Sequence, residues 1–145
     1  MRYALEPMTE LLVSLVRGKQ MWRITGAEAH TLWYYRLLEN RSHQNGARVL
    51  SLLLRLLPEE GREGRVYDII HSFFSSLSCA SSKDTCILEE LAVFFILGEL
   101  GYVETKKVIS LEEENIFTEN TIRGAQKNRS ALLREIQSGL YATQL

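Results

Sequence analysis

Cysteine and proline are scarce in this chain, with two of each among 145 residues. Two thiols, Cys79 and Cys86, are too few for a four-cysteine zinc site, and in a reducing compartment they need not pair. No metal and no cofactor is expected. Long apolar runs are missing as well: Arg, Glu or Ser interrupts every candidate before the roughly 18–20 residues that a membrane-spanning helix needs. Glu6, Pro7 and Glu10 stand where a signal peptide would carry its apolar core, so a cytoplasmic protein is the default expectation. There is no P-loop, GxGxxG, HExxH or GxSxG. The three histidines, His30, His43 and His71, fall on different elements with no carboxylate or thiol partner evident, which reads as surface histidine rather than catalysis. No catalytic residue is assigned and no enzyme is expected.

What is present is an ordinary folding composition, 46% hydrophobic and 24% charged, which excludes disorder. The net charge of −1 hides an asymmetry: residues 1–65 carry ten Lys/Arg against seven Asp/Glu, and residues 66–145 carry seven against eleven. A mildly basic front half is compatible with an anionic partner and equally with solvated surface.

Residues 10–25 read as two short strands. Leu11, Val13 and Leu15 alternate, Gly18 suits the positive φ of a type II′ turn with Lys19, and Trp22 and Ile24 resume the alternation. A two-residue loop would set Leu15 opposite Trp22, Val13 opposite Ile24 and Ser14 opposite Arg23, with Trp22 on the core side. Two strands alone cannot bury that apolar face, so either helices or a second copy must cover it, with a homodimer through the hairpin as one outcome.

Beyond Gly26 the period changes to 3.6, and helices are expected over residues 28–40, 47–57 (after a break at Gln44, Asn45 and Gly46, and ended by Pro58), 66–77, 85–100 and 119–142. Val66, Ile69, Ile70, Phe73, Phe74 and Leu77 form one apolar stripe. The 85–100 segment is apolar on nearly all sides, as the centre of a bundle is, with Asp84 as its N-cap and Gly101 at its end. Ser110 and Glu113 suggest a capping box opening a further short helix, in which the acidic run Glu112, Glu113, Glu114 complements the macrodipole. Leu133, Ile136 and Leu140 mark the inner face of the last helix. The fold class is mainly α, a helical bundle preceded by a β-hairpin.

Two groups carry binding chemistry. Arg17, Lys19 and Arg23 cluster at the hairpin tip and mixed face, where they can neutralise phosphates. Trp22 offers a stacking surface for a base, although the register favours core packing. Arg48, Ser51 and Arg55 recur at i, i+3 and i+7 as the polar stripe of an otherwise apolar helix, which suits a phosphate, a peptide carboxylate or plain solvent.

Taken in order, the basic hairpin LLVSLVRGKQMWRITGAE, then VLSLLLRLLPEEG, VYDIIHSFFSSL, LAVFFILGELGYVE and the tail REIQSGLYATQL resemble the C-terminal two-thirds of a RecO-type DNA repair protein. Leu97-Gly98-Glu99-Leu100-Gly101-Tyr102 is similar to the family's leucine-rich helix ending in Leu-Gly-Tyr. The resemblance implies residues 1–26 as the last strands of an incomplete OB-fold and residues 27–145 as an all-helical domain. It also implies a recombination mediator that binds and anneals single-stranded DNA and loads recombinase, with RecR-type and single-stranded DNA-binding proteins as partners. Two departures stand out: no zinc-binding cysteines follow Tyr102, and only two of five barrel strands are present. The runner-up is a helical protein-interaction adaptor that does not touch DNA.

Overall fold

In the computed structural model, residues 6–57, 63–109 and 116–145 are described. Alternating, β-branched sequence forms a two-stranded antiparallel hairpin, β1 (Thr9–Arg17) and β2 (Trp22–Leu32). Among the described residues six α-helices follow: α1 (Trp33–Glu39), α2 (His43–Leu56), α3 (Gly64–Cys79), α4 (Thr85–Glu99), α5 (Glu119–Lys127) and α6 (Arg129–Ala142). Among the described residues, a 3₁₀ turn, Thr105–Lys107, lies between α4 and α5. The capping box at Ser110, and with it the acidic run 112–114, lies outside the described residues, as does Pro58.

The bundle is organised by α4, whose Ile87, Leu88, Leu91, Ala92, Phe94, Phe95, Ile96 and Leu97 are all buried. It packs against α2, α3, α5 and α6. The stripe on α3 faces it as its spacing predicts: Val66, Ile69, Phe73, Phe74 and Leu77 are buried, and Ile70 is half-buried. Gly101 ends α4 with φ +85°, Tyr102 N donating to Leu97 O and Gly101 N to Gly98 O, the paired bonds of a Schellman motif. The same motif ends α1, where Ser42 N reaches Leu37 O and Arg41 N reaches Leu38 O. There the left-handed residue is Arg41, at φ +61°.

Five sequence expectations are corrected. The strand pairing continues to Leu32, so residues 28–32 are β and not helix: Thr9 and Glu10 lie opposite Leu32 and Thr31 and supply the backbone partners. Asn45 and Gly46 do not break the chain but sit buried in the first turns of α2, because a Cβ at Gly46 would meet Met8 Cε at 2.6 Å and Leu37 Cδ1 and Phe74 Cε1 at 3.1 Å. That glycine serves close approach rather than a turn. The segment 119–142 is two helices, parted at Asn128, and α6 buries Leu132, Ile136 and Gly139 while Leu133 is exposed. Asp84 occupies the N-cap position of α4 without making a cap bond; its carboxylate accepts from Ser81 Oγ at 3.1 Å instead. Gly18 has no positive φ, and the hairpin is closed by a four-residue connection with Gly18 N donating to Met21 O at 2.8 Å.

Candidate nucleic-acid interface

The longer connection shifts the register by two from the one a II′ turn would give as far as Leu15, and an irregularity between Leu15 and Ser14 makes the shift three from Ser14 to Leu11. Leu15 lies opposite Ile24, Val13 opposite Ala27, Ser14 opposite Gly26, and Arg17 opposite Trp22. Cross-strand partners point to the same side, so Arg17, Trp22, Leu15 and Ile24 share one face, and Val16 and Arg23 share the other. Trp22 is therefore not in the core. It is 52% exposed at the tip, with the Arg17 guanidinium carbon 5.7 Å from its ring centroid.

Arg17, Lys19 and Arg23 are all exposed, and none makes an ion pair among the described residues. The structure thus brings Arg17 to Trp22, leaves Lys19 in the connection, and sets Arg23 across the ribbon. The apolar face is open too: Ile24 is 61% exposed, and Leu12 and Val16 on the reverse side are also exposed.

At its root the hairpin is tied to the bundle by a polar hub that the sequence reading missed. The Glu10 carboxylate accepts from Trp33 Nε1 at 3.2 Å and from Tyr67 Oη, and His71 Nδ1 lies 3.3 Å from it. Tyr67 stacks on His71, and Trp33 meets His71 edge-on at 5.7 Å. The Glu10 side chain is 12% exposed. Its pKa is held below the ordinary carboxylate value, chiefly by the Tyr67 hydrogen bond, against the opposing effect of burial. Tyr67 is pushed the other way by the same bond. A cavity of about 200 Å³ lies beside the hub, walled by Met8, Leu50, Ile70 and Phe74. The one available signal was that His71 falls off the apolar stripe of α3; its carboxylate partner comes from β1, far away in sequence.

The arginine stripe of α2 is divided. Arg48 Nε and Nη2 both donate to Glu89 at 2.7 Å, and this bond raises the Arg48 pKa; Asn45 Nδ2 donates to the same carboxylate at 2.6 Å. Ser51 and Arg55 are exposed, and Arg55 has no partner among the described residues. Beside Arg48 a groove of about 330 Å³ runs between α2, α4 and α6, with Leu52, Val93, Leu133 and Ile136 in its walls. Arg129, bonded to Glu90, lies on the α6 side.

Cys79 and Cys86 are free and exposed. Among the described residues no three His, Cys, Asp or Glu side chains are grouped to hold a metal ion, and no helix is long and apolar enough to cross a membrane.

Fold and site together define a helical bundle carrying an exposed β-arm with a cationic, aromatic tip. No protein-family model, curated protein or solved structure matches the chain.

Proposed function

We propose that this chain is a non-enzymatic module that binds single-stranded DNA, the helical part and last barrel strands of a RecO-type recombination mediator that anneals strands and helps load recombinase onto DNA coated by single-stranded DNA-binding protein. The observation that supports the reading is the tip. A half-exposed indole offers a ring to a base; Arg17 lies against it, Lys19 is in the connection, Arg23 is on the opposite face, and none of the three is in an ion pair among the described residues. Arg17 and Lys19 contact phosphates on the Trp22 side, and Arg23 takes one from the other face, so the strand wraps over the end of the ribbon. In this reading the open apolar faces are where further barrel strands or a second copy of the chain packs.

Fluorescence anisotropy with labelled oligonucleotides tests it. Three phosphates neutralised give a slope of log K against log salt of about −2. The Arg17→Ala/Lys19→Ala/Arg23→Ala variant should flatten that slope nearly to zero. An unchanged affinity in the triple variant would remove the hairpin from the mechanism.

A second reading, the protein-interaction adaptor, is supported by the groove between α2, α4 and α6. An acidic peptide with an aromatic residue, the chemistry expected of a single-stranded DNA-binding protein's tail, would place the ring in the groove and its carboxylates on Arg55. Arg48 is less available because Glu89 holds it. Calorimetric titration of such a peptide into the Arg55→Glu variant should show weakened binding; equal binding excludes Arg55. RecR-type partners belong to the first reading.

A further inference from the structure

The hub that ties the arm to the bundle also forms one wall of the cavity of about 200 Å³. Three of the rings in that wall make a corner. Trp33 stands at 84° to His71 with centroids 5.7 Å apart, while Tyr67 lies nearly parallel to His71, 27° from it at 6.2 Å. Phe74, 5.6 Å from Trp33, adds a fourth ring to the lining. The Glu10 carboxylate sits where the rings of the corner meet, accepting from Trp33 Nε1 and Tyr67 Oη with His71 Nδ1 beside it. It is ionised at neutral pH, because the Tyr67 hydrogen bond above all favours the charged form. Among the described residues no lysine or arginine lines the cavity. Arg36, whose guanidinium lies 5.4 Å from the Trp33 ring centroid, is exposed and outside the lining. A carboxylate set among aromatic rings, with no permanent cation in the same walls, is complementary to an ammonium ion.

We propose that this cavity binds a small organic ammonium ion with an apolar body about one ring in size, its nitrogen placed on Glu10 within the corner of Trp33, Tyr67 and His71. The body lies against the other walls, where Met8, Leu50 and Ile70 supply thioether and aliphatic surface. The size agrees. A cavity of about 150 Å³ holds benzene, and one of about 200 Å³ leaves room for a short alkylammonium group as well. Tyr67 and His71, each about half exposed, give the ligand its way in, whereas Trp33 and Phe74 are buried and form the floor. Glu10 comes from β1, Trp33 from α1, and Tyr67 and His71 from α3, so a bound cation clamps the arm to the bundle. This site is independent of the DNA reading, which uses the tip at the far end of β1.

The experiment is calorimetric titration of the full chain at neutral pH with phenethylammonium and with 2-phenylethanol, a neutral molecule of the same ring and chain length. The ammonium ion should bind about ten-fold more tightly than the alcohol. In Glu10→Gln, which keeps an acceptor for Trp33 and removes the charge, the two should bind alike. Leu50→Phe, which fills the apolar end of the cavity with a ring, should weaken both by about ten-fold. Urea midpoints of the two variants separate lost binding from lost folding. Equal affinity of ammonium ion and alcohol for the unaltered chain, or no binding of the ammonium ion, overturns the site. So does a preference for the ammonium ion that persists in Glu10→Gln, or binding that is unchanged in Leu50→Phe.

Discussion

Replacing Glu10 by alanine removes the acceptor on which Trp33, Tyr67 and His71 converge. The three neighbours do not suffer equally. Tyr67 and His71 are about half exposed and can turn to water. Trp33 is 5% exposed, so its indole N–H is left buried without a partner. An orphaned buried donor costs about 1–3 kcal/mol, and the contacts with the two exposed groups add little net. A loss of about 2 kcal/mol is expected. With an m-value of about 2 kcal/mol/M for a chain of this size, the urea midpoint should fall by about 1 M at unchanged m. The Glu10 carboxyl has a folded pKa below its ordinary 4.5. Its stabilisation is therefore fully present above that ordinary value and is lost as pH falls through the lower folded one. Glu10→Gln should retain an acceptor for Trp33 while removing that acid-side loss. A Glu10→Ala variant whose midpoint and pH profile match those of the unaltered chain would refute the hub as the tie between arm and bundle.

Gly101→Ala should destabilise by about 1 kcal/mol through backbone strain alone, since φ is +85° and nothing lies within 4 Å of the added carbon; a thermal midpoint equal to wild type would count against it. Gly139→Ala should also destabilise, by about 1–2 kcal/mol despite its better helix propensity, because the new methyl would meet the stiff Val103 Cγ1 at 2.6 Å and Leu97 Cδ1 at 3.1 Å. Chemical denaturation measures both. The open apolar face of the hairpin predicts concentration-dependent self-association that Leu15→Glu suppresses, read by light scattering; a monomer at high concentration with and without the substitution would exclude it.

The elements legible in the sequence were those whose burial is decided locally. The α3 stripe and the all-apolar α4 are written in spacing alone, and Gly101 marks its helix end because that backbone needs what glycine offers. Residues whose role depends on distant neighbours were misread. Ala27, Glu28 and Ala29 have helical propensity, yet they pair with Val13, Leu12 and Leu11. Gly46 looked like a breaker because Met8 and Phe74, which approach it, are far along the chain. The cations of the tip were visible as a cluster, but their division between two faces follows from the length of the connection, which Gly18 did not reveal. The Glu10 hub joins β1 to α1 and α3, and no local pattern encodes such a meeting. Arg41 was passed over because nothing in an Asn-Arg-Ser triplet announces which residue turns left-handed.

The two strands of the arm differ in regularity. Between Ser14 and Leu15, and again between Glu10 and Leu11, the pairing skips a residue on β2, leaving Thr25 and His30 as bulges, with Thr25 Oγ1 bonded back to Ser14 O at 3.2 Å. Each bulge adds twist, bends β2 and interrupts the regular spacing of its backbone groups. The unpaired edge of β2 is consequently a broken template for another strand, and that of β1 is a continuous one over its 9 residues. Growth of this ribbon into a wider sheet is thereby one-sided: an added strand finds matched backbone groups along β1 and mismatched ones along β2.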